Sequence, residues 1–242
     1  MVSGQTGTVQ YLSMIYIIVA PPRSGKTYYA TKIAIENLIP QKSLIKSLFA
    51  KIKSGAVTLE DPNLTFTNYP VVDPKTGLST YRWLSSYAKE NIQDATIIID
   101  EAWQDYSSRN YKEFTKDMQA FFAMNGHNNN DIYIIAQNAA RVDVIIREMC
   151  NELYYVRKIS IPFTERPLFF ITYIYHDLDE MSRMTPDPYL AVKKRFVLFR
   201  SRIARAYDTH YFRSTKPPIT PETWLEYHYK KTHLEPETNT EV

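Results

Sequence analysis

Four residues near the start of the chain could bind a phosphate tail: Ser24-Gly25-Lys26-Thr27. They follow an apolar run, Met14 to Val19, and close a turn that opens Ala20-Pro21-Pro22-Arg23. A polyphosphate needs backbone N–H donors, a helix N-terminus, a cation and a hydroxyl for Mg²⁺. Residues Arg23, Ser24, Gly25, Lys26, Thr27 and Tyr28 form the expected cradle. Gly25 lets the backbone come close, Lys26 reaches the β- and γ-phosphates, and Thr27 ligates the metal. The loop departs from the usual pattern at Ala20, where Gly is expected. Pro21 and Pro22 have no N–H to donate and stiffen the approach to the loop instead.

A second group lies some seventy residues on. Ala95-Thr-Ile-Ile-Ile-Asp-Glu101 is a β-branched run ending in two carboxylates. Continuous apolar residues without alternation suit a buried parallel strand. Asp100 is then placed to hold Mg²⁺, and Glu101 to polarise an attacking water as general base. A third strand, Asp131 to Gln137, ends in a polar residue. Beside the Asp100 strand, Gln137 would reach the γ-phosphate or the lytic water and act as a sensor. ATP and Mg²⁺ are the ligands these residues imply.

The elements that must carry these groups alternate. Strands are expected near 14–20, 63–71, 95–100, 131–137 and 152–160. Helices are expected near 26–38, 78–91, 110–125 and 140–150. That order predicts an α/β fold of the P-loop NTPase type, a mainly parallel sheet flanked by helices. Ligands of such sheets bind at the carboxyl ends of the strands, where all three groups fall. After about residue 160 the pattern turns β-rich: Leu168 to Tyr175, then short strands at 195–199 and 203–207. We expect one ATPase domain over 14–210, with 160–210 as a β-rich extension. Residues 1–13 read as a flexible arm, and 211–242 as a helix capped by Thr220 plus a polar tail.

Bulk properties set bounds. The chain has 242 residues, 44% of them apolar, enough for one sizeable core. The formal net charge is +3, so any nucleic-acid contact needs a local basic patch. One such patch is Lys193, Lys194, Arg195, Arg200, Arg202 and Arg205, with no acid between residues 191 and 207. DNA phosphates would suit it, and a merely solvated face explains it equally well. The other is an amphipathic stretch over 42–53, fit for DNA, a membrane surface, a neighbouring subunit or its own domain. The single cysteine, Cys150, rules out an internal disulfide and suits a buried thiol in a reducing compartment. No apolar run approaches the ~18–20 residues that span a bilayer. An arginine finger would complete the site in a multi-subunit ATPase, worth about 10³–10⁵ in rate. Arg109 is the favoured candidate, with Arg141 and Arg147 as alternatives.

Several pieces together resemble the zonular occludens toxin family, in the HerA/FtsK-like branch of P-loop ATPases. They are Pro22-Arg-Ser-Gly-Lys-Thr-Tyr-Tyr29, Phe66-Thr-Asn-Tyr-Pro70, Ile97-Ile-Ile-Asp-Glu-Ala102, Ser108-Arg109, Asp131 to Asn138, and Ala204 to His210. The resemblance implies an ATP-driven motor for virion assembly, export or genome packaging, working as a homo-oligomeric ring in the host cytoplasm or with the virion. Two alternatives stay open: a membrane-docked assembly or export ATPase, and a nucleotide-gated structural component of a particle. The family's His-Arg-His before the glutamine strand is replaced here by Asn125-Gly126-His127, which removes its Arg. Filamentous-phage members carry a membrane span after the ATPase domain, and the polar tail here points to a soluble relative.

Overall fold

The computed structural model describes residues 13–38, 64–89, 92–102, 106, 115–176 and 186–208. Strand β1 (Ile15–Val19) leads through the turn into helix α1 (Lys26–Leu38). Strands β2 (Thr65–Thr67), β3 (Tyr81–Arg82) and β4 (Thr96–Ile99) follow. Helices α2 (Lys116–Ala123) and α3 (Asn125–Asn128) precede strand β5 (Asp131–Ala136). Helix α4 (Val144–Glu148) leads to strands β6 (Glu152–Ser160), β7 (Pro167–Tyr175) and β8 (Lys193–Leu198), then helix α5 (Ser201–Ala204).

Among the described residues these strands form one eight-stranded sheet in the order β3-β2-β4-β5-β1-β6-β7-β8. The pairs from β3 to β6 are parallel, and β6–β7 and β7–β8 are antiparallel. Successive side chains of a strand point to opposite faces, so a strand covered on both sides must be apolar throughout. Ile17, Ile97 and Ile134 enter the core under α2, with Phe121, Phe122 and Trp83. Their neighbours Ile18, Ile98 and Ile135 enter the core under α1, with Tyr28, Ala30 and Ala34. The α/β fold expected from the alternation is therefore the fold observed.

Several expected elements differ, each for a tertiary reason. The region read as helix 78–91 forms strand β3 and a 3₁₀ turn, Ser85–Lys89. Pairing captures it: the Thr80 N–H donates to the Val71 carbonyl and the Trp83 N–H to the Thr67 carbonyl. Strand 63–71 shortens to three residues, because the chain turns away after Thr67. The helix expected over 140–150 splits into a 3₁₀ turn, Ala139–Arg141, and α4. Asp143 caps α4 by accepting from the Ile145 N–H at 2.9 Å. The segment 203–207, read as a strand, instead begins inside α5. Ile203 and Ala206 are buried against the α1 side of the core, a helical spacing. Residues 1–12 of the arm read over 1–13, the basic stretch 42–53 and everything after 208 lie outside the described residues. Within the described residues no helix is long and apolar enough to cross a membrane.

Candidate nucleotide-binding site

The turn after β1 sits at the parallel sheet's carboxyl edge, between the ends of β5 and β6. Two of its residues take left-handed backbone conformations: Arg23 at φ 61° and Gly25 at φ 90°. Gly25 is required twice over. Its φ is one that L side chains rarely adopt, and a Cβ there would lie 2.2 Å from the Phe170 ring. Ala20, the departure from the usual loop, is buried and its φ is not positive, so a methyl group is tolerated there. The Ser24 N–H donates to the Pro21 carbonyl at 3.3 Å and closes the turn. The first-turn N–H groups of α1 have no intrahelical acceptor and remain to meet an anion.

The carboxylates arrive from β4. The Thr27 hydroxyl donates to Asp100 Oδ2 at 2.6 Å. Lys26 Nζ lies 3.9 Å from Glu101 Oε1. Both Lys26 and Asp100 are buried, at 7% and 2% exposure. Burial pulls the Lys26 ammonium below its ordinary value, while Glu101 and Asp100 offset part of the effect. Burial pushes the Asp100 carboxyl up to about 6; the Thr27 hydroxyl works against that shift and the Glu101 charge with it. A hydroxyl and a carboxylate side by side are hard oxygen donors. They fit Mg²⁺, which takes few protein ligands and fills its octahedron with water and substrate phosphate.

Asn68 holds the β4 end in place. Its side-chain amide donates to the Asp100 carbonyl and accepts from the Asp100 N–H, each at 2.8 Å. The Glu101 N–H donates to Asp100 Oδ1 at 2.8 Å, and Glu101 itself sits at φ 48°. A non-glycine residue there costs about 1–3 kcal/mol and persists where its surroundings over-determine it. Sequence reading assigned Asn68 no role; its signal was a polar residue just past a buried strand, as with Gln137.

A cavity of about 420 Å³ opens over the loop and is lined by Arg23, Gly25, Lys26, Thr27, Glu101 and Gln137. Lys26, Thr27, Asp100, Glu101 and Gln137 are thus brought together. Gln137 accepts from Arg141 Nη1 at 3.2 Å. The Arg147 Nε–H donates to the Val142 carbonyl at 3.2 Å. Arg109 lies outside the described residues. Tyr28 stacks on Phe170 and Phe199, at centroid distances of 4.6 and 5.4 Å. Arg202 leaves the expected basic patch: Nε reaches Asp73 Oδ1 at 2.7 Å, with a second bond from Nη2 to the other oxygen. The acid absent from 191–207 in sequence is supplied by the turn after β2. Lys193, Lys194, Arg195, Arg200 and Arg205 remain exposed.

A phosphate loop at a helix N-terminus, a strand-end carboxylate on its threonine and a parallel sheet around both define a P-loop NTPase fold. The profile of the zonular occludens toxin (Zot) family matches residues 14–201, and the chain belongs to that family. Its structure is similar to the N-terminal domain of zonular occludens toxin from Neisseria meningitidis. That likeness has a TM-score of 0.51 at 13% identity, covering 82% of this chain and 100% of the other. The genome packaging NTPase B204 of Sulfolobus turreted icosahedral virus 2 also matches. Its complex with ATP-gammaS gives a TM-score of 0.38 at 12% identity, covering 77% of this chain and 98% of the other. Its complex with AMPPCP gives 0.43 at 11%, with the same coverage. A search of curated protein sequences gave no match.

Proposed function

We propose that this protein hydrolyses ATP to drive virion assembly or genome packaging for a virus or mobile element. One observation carries the reading: Thr27 on Asp100, with Lys26 beside Glu101, at the carboxyl edge of a parallel sheet. Lys26 and the N–H groups of α1 would bind the phosphate tail. Thr27 and Asp100 would hold Mg²⁺, which supplies charge neutralisation to the phosphates when bound. Glu101 would orient the water and take its proton, and Gln137 would meet the γ-phosphate from the end of β5. Arg109 from a neighbouring copy in a ring would supply the finger.

The polymer moved would be DNA, met by the exposed Lys193, Lys194 and Arg195 of β8 with Arg200 and Arg205. Two of these cations already lie over rings, Lys194 on Tyr173 and Arg195 on Tyr154. The host cytoplasm, or the virion itself, is the expected setting. The test is Mg-dependent ATP hydrolysis by the purified chain, with single- and double-stranded DNA compared at fixed salt. Hydrolysis abolished by Lys26→Ala and raised by DNA supports the reading. No hydrolysis that Lys26→Ala removes would sink it.

A further inference from the structure

The cavity over the phosphate loop does not end at the phosphates. Much of its remaining wall comes from β6 onward, including Lys158, Pro167, Phe170, Phe199, Tyr207 and Asp208. The strand order lays these groups out in a line. Glu101 follows β4, Gln137 follows β5, the loop follows β1, and then come Lys158 on β6, Phe170 on β7 and Phe199 after β8. The catalytic carboxylate thus lies on one side of the loop and the aromatic wall on the other. Three strand spacings, roughly 14 Å at ~4.8 Å each, separate β1 from β8. A triphosphate whose γ-phosphate points toward Glu101 must send its other end toward the aromatic wall.

That wall is pre-positioned. The Tyr28 hydroxyl accepts from the Arg200 N–H at 2.7 Å and meets the Leu198 carbonyl at 3.3 Å. The same residue stands one position from Thr27 in α1. The segment 198–200 is therefore fastened to the helix turn that carries the phosphates. Phe170 is buried and packs against Gly25, so it forms the floor. Phe199 is 37% exposed, stacks one side on Tyr28 and keeps area for a ligand. Lys158 stands directly opposite Phe170 in the β6–β7 ladder, hence on the same face of the sheet. With Asp208 it brings a donor and an acceptor to the rim.

Resting on the nucleotide reading above, we infer that the β6–β8 extension carries a base subsite, in which an aromatic nucleobase stacks on Phe199. The extension is then half of the nucleotide site, and the affinity of the chain for ATP depends on it. Calorimetric titration with Mg·ATP and with Mg·ribose 5-triphosphate, which lacks the base, tests this on the wild-type chain. ATP is expected to bind about tenfold or more tightly, from the usual worth of base–aromatic stacking. Phe199→Ala should weaken ATP by about that factor and leave ribose triphosphate unchanged, while Phe199→Trp retains the preference. Unchanged ribose triphosphate binding shows that the variant keeps its fold. Equal affinity of the wild type for both ligands overturns the base subsite and leaves the phosphate site standing. Undiminished ATP binding in a folded Phe199→Ala does the same. If the wild type binds neither ligand, the nucleotide reading falls and the subsite with it.

Discussion

Thr27 and Asp100, 73 residues apart in the chain, meet in a hydrogen bond of 2.6 Å at the mouth of the phosphate loop. The bond joins the first turn of α1 to the end of β4. It also aligns the two oxygen donors that suit Mg²⁺.

Asp100 therefore makes activity and stability depend on pH in opposite senses. Its folded pKa is raised, to about 6 from 3.8, chiefly by burial. Metal binding needs the carboxylate, so Mg-dependent nucleotide binding is expected to fail as pH falls through about 6. Stability without metal runs the other way. Between 3.8 and about 6 the folded state holds more protons, so stability drops as pH rises through that window. Each unit is worth about 1.4 kcal/mol, which makes the full cost of order ~3 kcal/mol above pH 6. Asp100→Asn should escape that cost. Thermal melts without Mg²⁺ at pH 8 should show it at least as stable as the wild type. Mg²⁺ should no longer strengthen its ATP binding.

Lys26 and Glu101 should separate binding from chemistry. Lys26→Ala removes a cation that binds the phosphates in the ground state and more strongly as charge develops in the transition state, so ATP affinity falls along with turnover. Glu101→Gln keeps the side-chain shape at a left-handed position and removes only the proton acceptor. ATP affinity is expected to stay within a few-fold while kcat falls about 10²–10⁴-fold. Titration and single-turnover kinetics on the two variants check this.

Gly25→Ala should damage the loop through two independent terms. One is φ 90°, and the other is the 2.2 Å approach of the new Cβ to Phe170. We expect a loss of about 1–3 kcal/mol in thermal unfolding, with weakened nucleotide binding. Adding Phe170→Ala removes the clash and leaves the backbone strain, so nucleotide affinity should return only in part. Full recovery in the double variant would show that space alone matters.

Asp73 and Arg202 join the turn after β2 to α5. Burial alone would raise Asp73. Donation from Arg202, from Thr76 and from the Lys75 N–H outweighs it and holds the carboxyl below its usual range. A depressed carboxylate stabilises above the unfolded pKa and loses that contribution as pH falls through the folded value. Asp73→Ala is expected to cost about 1–3 kcal/mol at pH 7, tempered because Arg202 keeps some contact with solvent. The gap from wild type should narrow below pH 4. Urea melts at the two pH values measure it.

The loop, the strand-end carboxylates and the strand–helix alternation were legible because each is local. Lys26, Thr27, Asp100, Glu101 and Gln137 all follow short apolar runs, and such runs announce buried parallel strands. Local signals failed where pairing decided the outcome. Residues 81–82 have no strand period of their own and join the sheet because β2 offers an open edge. Asn68 fell inside the strand expected over 63–71 and drew no role, because its partner, the Asp100 backbone, is 32 positions away. Arg202 looked like part of a basic face suited to DNA or to solvent because the acid that pairs with it is 129 positions away.

By itself, then, the amino-acid order determined which side chains are candidates to hold a phosphate, a cation and a water, and that they sit at strand ends. It did so because backbone preference and hydrophobic period act over a few residues. Only the tertiary structure decided what surrounds that chemistry. Asn68 clamps the carboxylate strand, Phe170 closes on Gly25, and Phe199 stands across the cavity from Glu101. Those relationships come from strand order and register. Long-range contacts set that order, and no short window of sequence contains it.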